Sequence, residues 1–296
     1  MNDGPFHRDA NTERRRRKEQ IAKGVLLAAA STSVVILAAL IIRLVLDGYA
    51  ALDLDFFTGR YMPSKVKTGE SGILDAILVS VVLLFFTMLF AIPLGLGAGI
   101  YLNEYAKDNW FRRSVESWIA NLAAVPSVVY GLLGLAVFVR FLALGTTIIA
   151  AALTMALLVL PILVVSTQEA LKAVPNSVRE ASFGLGATRW QTVRSHVLPN
   201  ALPGILTGNI LAMSRAAGET APLIVIGLPV FVTLLEFGPF GTGTPLQLRV
   251  FNLAQLPGPE ALQMAAGAII VLVAVTLLLN LAAILLRNRY LKRAQW

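Results

Sequence analysis

Six stretches of this chain are apolar for long enough to cross a bilayer, and that repetition limits the possible folds more than any other feature. A helix rising 1.5 Å per residue needs roughly 20 apolar residues to cover the hydrocarbon core. Segments 24–46, 74–100, 119–143, 146–168, 203–231 and 263–286 meet that length. Hydrocarbon offers no hydrogen-bond partners, so such segments must satisfy their own backbone as helices. The expected fold class is an all-α membrane protein with six transmembrane helices. Composition agrees: 56% of residues are hydrophobic, 14% are charged and mean hydropathy is +0.72. An ordinary soluble domain carries about 25% charged residues. A soluble enzyme domain is excluded, and so is disorder outside the termini. There is no cysteine, which removes disulfides, thiolate nucleophiles and zinc–sulfur sites. His7 and His196 are too far apart in sequence to suggest a metal site, so none is expected.

The net charge of +8 would raise nucleic acid as a partner in a soluble protein. Placement decides otherwise. If the N-terminus is cytoplasmic, eighteen of the 25 lysines and arginines fall on the inner side. Arg60, Lys65, Lys67, Arg140 and Arg249 fall outside, and Arg43 and Arg215 lie within spans. This positive-inside bias predicts both termini in the cytoplasm and no nucleic-acid role. Residues 1–23 form a basic tail ahead of the first helix, 24–46. That helix follows Arg14–Lys18 but is too long for a signal-peptide core and reads as a retained anchor. Residues 287–296 form the second cytoplasmic tail. Two outer loops, 47–73 (with Phe56, Phe57 and Tyr61) and the Gly/Pro-rich 232–262, could be solvated connectors or could touch an external partner.

Several motifs carry no chemistry. Ser64–Lys67 and Lys67–Gly69 overlap as S-x-x-K and K-T-G in one loop and read as chance. No Walker-type phosphate loop occurs. Gly95, Gly97 and Gly99, and the pair Gly204 and Gly208, read as sites of close helix packing. No catalytic site is expected.

The loop at 169–202 is more informative. Residues 178–183 have helical character, Gly184 and Gly186 allow a sharp turn, Thr188 can cap a second short helix through His196, and Pro199 would close it. Counting from Glu180-Ala181-Ser182, glycine falls at the seventh position, Gly186, and Leu198-Pro199 at the nineteenth and twentieth. This spacing resembles the EAA loop of type I ABC importer permeases, the MetI-like architecture, with Ser182 in place of the second alanine and His196 where isoleucine is usual. The resemblance implies that Glu180, Ala181, Gly186, Leu198 and Pro199 dock onto an ATP-binding subunit. It also implies that ATP and Mg are bound there, with no cofactor in this chain.

Arg215 and Glu219 stand within 203–231. An ion at membrane depth costs about 2.5–3.5 kcal/mol even on the gentler insertion scale, so both should face protein or a watered path. An internal ion pair locking helices is one reading. Ser214, Gly218 and Thr220, with Pro222 weakening the helix at Gly218, favour a pathway. Residues 214–223, Ser-Arg-Ala-Ala-Gly-Glu-Thr-Ala-Pro-Leu, resemble the fifth-span signature of PstA-type permease subunits of phosphate ABC importers. Residues 121–131 are similar to the segment Val-Pro-Ser-Ile-Val-Tyr-Gly of the same family, with Pro126 and Gly131 aligned. Ala217 and Ala221-Pro222 tip the likeness away from the PstC type. The resemblance spans 70–286 and implies a PstC-like sister permease, two PstB-like ATP-binding subunits and a PstS-like phosphate-binding protein. Arg215 suits an oxyanion. Glu219 could accept the proton that hydrogen phosphate keeps and sulfate lacks, or could only orient Arg215. Another oxyanion as cargo, sulfate or molybdate, keeps the same architecture. An ion-coupled secondary transporter would need no ATPase, and in a scaffold the Arg215–Glu219 pair would be purely structural.

Overall fold

The computed structural model describes residues 10–228 and 240–293, and among these it contains helices and turns without a strand. The elements in chain order are α1 (Ala10–Gly48), α2 (Leu54–Thr58), α3 (Leu74–Ile100), α4 (Trp110–Ala123), α5 (Ser127–Gly134) and α6 (Ile148–Lys172). They continue as α7 (Asn176–Gly184), α8 (Arg189–Thr192), α9 (Leu198–Gly218), α10 (Ala221–Ile226), α11 (Leu246–Gln255) and α12 (Pro259–Arg293). Three wide π-type turns extend helices: Tyr101–Tyr105 after α3, Leu135–Phe141 after α5 and Val193–Val197 between α8 and α9.

The expected all-α class holds, with two of the six segments altered in form. Helices α1, α3, α6 and α12 are each long and apolar enough to cross a bilayer, and the pair α4–α5 makes a fifth if counted as one span. That pair bends by 103° at Pro126, which cannot donate a backbone hydrogen bond and takes an extended ψ of 137°. Segment 203–231 is not one helix. Its described part is α9 and α10, divided at Glu219–Thr220, and α9 alone is long enough to span but too polar.

Helix α6 is the centre of the bundle: 67% of its most apolar stretch is buried, against none of α1's. Lipid already solvates apolar side chains, so helix association there depends on close packing of small residues. Three helices approach α6 in that way. A Cβ on Gly95 of α3 would stand 2.5 Å from the Leu163 side chain, and one on Gly99 would stand 2.6 Å from Thr167. Gly204 and Gly208 of α9 lie against Ala170 and Ser166, and Gly134 of α5 against Thr154. The two packing motifs expected from sequence therefore meet the same helix, except that Gly97 faces open space.

The described parts of the two long loops, 47–73 and 240–262, fold into a cap over the ends of α3 and α12. Phe56, Tyr61, Val66 and Ile73 are buried with Leu246 and Leu253 of α11 and Ala261 and Met264 of α12. Asp53 starts α2 by accepting the Phe56 N–H at 2.7 Å. At the core of the cap lies Arg249, fully buried, donating to Asp75 Oδ2 at 2.9 Å with its guanidinium 3.6 Å from the centre of the Tyr61 ring. Burial raises the Tyr61 phenol above its ordinary pKa, and Arg249 opposes that rise. The loop stretch 232–239, with Gly238-Pro239, lies outside the described residues.

Replacing Gly95 by Val should cost about 1–3 kcal/mol through overpacking, whereas Gly97→Ala should leave stability unchanged; thermal unfolding in detergent reads both. Arg249→Met strands Asp75 without its partner and should cost about 3–5 kcal/mol, most of it recovered in the double variant Arg249→Met/Asp75→Leu.

Candidate translocation site and coupling loop

Helix α9 ends where its hydrogen-bond ladder fails. Pro222 has no N–H for the Gly218 carbonyl, and the chain responds by leaving the helix altogether. Glu219 is extended (φ −82°, ψ 121°), and α10 restarts at Ala221 with Pro222 in its first turn. The kink expected at Gly218 and Pro222 is thus a full break. Among the described residues, nothing lies within 4 Å of where a Cβ on Gly218 would be.

Arg215 and Glu219 flank the break. Arg215 Nε is 3.5 Å from Glu219 Oε1, with 40% of the arginine side chain and 21% of the glutamate exposed. The pair joins consecutive turns of one segment, so it does not lock two helices together. Arg215 remains open on the bundle surface. Thr220 sits in the break, its carbonyl accepting the Leu223 and Ile224 N–H groups that begin α10. Ser214 turns away from Arg215. Its hydroxyl donates to Asn280 Oδ1 of α12 at 2.7 Å and shares its proton with the Ile210 carbonyl at 2.9 Å. Sequence reasoning passed over Asn280, although an amide in the middle of the apolar segment 263–286 is itself a signal.

The structure brings the two signature strings together. Gly131 of α5 abuts Pro222 and Val225 of α10 so closely that a Cβ would lie 2.9 Å from Pro222 Cα. Tyr130, buried beside it, donates to the Leu122 carbonyl at 2.8 Å and so ties the α4–α5 bend on which Pro126 sits. In contrast, a groove of about 500 Å³ between α3, α9 and α12 is lined only by apolar residues, among them Phe85, Met88, Met213 and Leu279, and offers nothing to an anion.

At the opposite end of α9 the loop 169–202 is a two-helix knob. Helix α7 ends at Gly184, and Gly186 takes φ +81°, a conformation cheap only for glycine. Thr188 caps α8 through a reciprocal capping box with Gln191. The second helix is not closed at Pro199. It runs through the π-turn Val193–Val197 into α9, with Pro199 in the first turn of that helix, where its missing N–H is tolerated. Ser182, the departure from alanine, is buried and donates to Thr192 Oγ1 at 2.9 Å, since the Thr192 proton goes to the Thr188 carbonyl. That bond joins the two helices of the knob. Glu180 and Ala181 face outward, next to Phe183 (45% exposed) and Leu185 (91% exposed). Together, the bilayer-length helices and this exposed knob describe a helical membrane protein with a surface available to a partner outside the bilayer.

Residues 91–294 match the family described as binding-protein-dependent transport system inner membrane component, and the chain belongs to that family. It is 36% identical over 252 residues to the probable ABC transporter permease protein YqgI of Bacillus subtilis, covering 81% of this chain and 85% of the relative. It is 32% identical over 247 residues to the phosphate transport system permease protein PstA of Yersinia pestis, covering 82% and 81%. Two solved structures share the fold: a bacterial alginate ABC transporter (TM-score 0.63, 15% identity, 90% of this chain and 93% of that one) and the inward-facing MetNI methionine ABC transporter (TM-score 0.58, 18% identity, 74% and 94%). The protein is a non-catalytic permease component of the inner membrane, with ATP hydrolysis left to a separate subunit.

Ser214→Ala and Asn280→Leu should be energetically coupled. A double-mutant cycle on thermal stability is expected to give about 0.6 kcal/mol and no more than about 1.7, the mean and maximum for hydrogen bonds between membrane helices.

Proposed function

We propose that this chain forms half of the pathway through which an ATP-driven importer moves inorganic phosphate. The observation that carries the reading is the helix break at Glu219–Thr220, which leaves Arg215 exposed beside Glu219 where the strings 121–131 and 214–223 pack together. Broken backbone at membrane depth is tolerated where it lines a cavity. Arg215 supplies a fixed planar fork of donors to an oxyanion. Glu219 accepts the proton of hydrogen phosphate and repels an anion that has none. The identity to phosphate transport permeases of several bacteria supports the cargo.

In this reading the knob at 169–202 lies in the cytoplasm with both termini, as the basic bias predicts. Glu180, Ala181, Gly186, Leu198 and Pro199 shape the surface that meets an ATP-binding subunit of PstB type, one of two, which holds ATP and Mg. A PstC-like permease completes the pathway. A PstS-like binding protein delivers phosphate at the cap formed by 47–73 and α11. No cofactor resides in this chain.

Uptake of labelled phosphate, with sulfate in competition, tests the reading. Arg215→Ala should lower phosphate uptake about 10- to 100-fold, the loss of one charge-assisted hydrogen bond of about 1.5–3 kcal/mol, and Arg215→Lys should recover part of it. Glu219→Gln should let sulfate compete. Unchanged discrimination in Glu219→Gln would show that Glu219 serves only to orient Arg215, and wild-type uptake in Arg215→Ala would remove the pathway from this break.

A further inference from the structure

The knob is bonded covalently to only two of the bundle's central helices. Helix α7 follows α6 after three residues, and α8 runs on into α9. Helix α3, which packs along α6 through Gly95 and Gly99, has no chain connection to it. It reaches the knob through side chains, and the contact is a specific one. The π-turn Tyr101–Tyr105 that ends α3 presents Glu104 to Arg179, the residue immediately before Glu180. Arg179 Nη2 donates to Glu104 Oε1 at 2.7 Å and Nε to Oε2 at 3.3 Å, a two-point fork. Its remaining N–H groups go to the carbonyls of Leu171 in the last turn of α6 (2.9 Å) and Val174 just beyond it (2.8 Å), and to Asn176 Oδ1 (3.4 Å). All five guanidinium donors are therefore used. Only 15% of the Arg179 side chain and 8% of that of Glu104 are exposed. A second, looser contact lies alongside, with Arg189 of α8 5.9 Å from the centre of the Tyr105 ring.

We infer that Arg179 and Glu104 form a clamp that makes α3 move with the knob, so that a displacement of the coupling surface reaches α3, α6 and α9 together. Arg179 and Glu104 are positioning residues, remote from Arg215. The inference rests on the coupling role proposed above for 169–202. The bond from Arg179 to Leu171 of α6, with that to Val174 in the connection after it, holds the knob at the end of α6 whether or not Glu104 is present. Removing the Glu104 carboxylate therefore cuts the tie to α3 while leaving the seat on α6 in place.

The test uses the whole transporter in proteoliposomes with its binding protein, inorganic phosphate as probe, and the variants Glu104→Ala and Glu104→Gln. Because the chain has no cysteine, Lys107→Cys and Ser177→Cys can carry a single pair of spin labels, one on each side of the clamp. In the parent, the distance between labels should stay narrow and unchanged when nucleotide is added. In Glu104→Ala it should broaden and shift with nucleotide, while ATP hydrolysis stays within twofold and phosphate moved per ATP falls about tenfold. Glu104→Gln, which keeps the acceptor but loses the charge, should lie between. Uptake per ATP within twofold of the parent in Glu104→Ala would overturn the clamp, with or without a change in distance. So would failure of both variants to assemble, since the pair would then be a folding element. If the parent itself moves no phosphate, the cargo reading fails by itself, and the label distances still decide whether α3 follows the knob.

Discussion

Helices in a bilayer gain little by burying apolar surface against one another, because lipid is as apolar as the next helix. What is left is the closeness of backbone approach, and in this protein that closeness converges on α6. Gly95 and Gly99 bring in α3, Gly134 brings in α5, and Gly204 and Gly208 bring in α9. Three helices therefore meet one central helix with almost no side-chain cushion. Helix α1, by contrast, touches α12 near Gly48 and has none of its most apolar stretch buried.

Helix α9 joins the two candidate regions. One end is continuous with the knob through a π-turn, and the other ends at the break beside Arg215. The break holds its shape because its far side is supported: Gly131 admits Pro222 and Val225 to the surface of α5, and Tyr130 fixes the bend below. Ser214, next to Arg215 in sequence, spends its hydroxyl on α12. The region around Arg215 is thus held by neighbours on both sides while the guanidinium stays accessible.

Much of this was legible in the chain. The apolar segments, the glycine pairs, the Thr188 cap and the turn at Gly186 are local features, decided by composition, backbone freedom and hydrogen bonds a few residues apart. Pro222 was enough to forecast weakness at Gly218. It was not enough to forecast an extended Glu219, because whether a helix kinks or breaks depends on what supports the freed carbonyls and the restarted turn. The expectation that Pro199 would end a helix failed for a similar reason. Proline is tolerated in a first turn, and the π-turn before it absorbs the change of register.

The pairings that sequence reasoning passed over are those between residues far apart along the chain. Arg249 and Asp75, Ser214 and Asn280, Arg179 and Glu104 are each separated by 66 residues or more. Each looks like an ordinary polar residue near a helix end or an isolated one within a span. By itself the sequence determined the class of fold, the number of apolar segments, and the turn and cap of the loop at 169–202, because those follow from hydrophobic length and local backbone chemistry. Only the tertiary structure decided which charges are buried and paired, which glycines touch a neighbour, and that Arg215 stays open. Those depend on which distant segments the packing around α6 brings within hydrogen-bond distance.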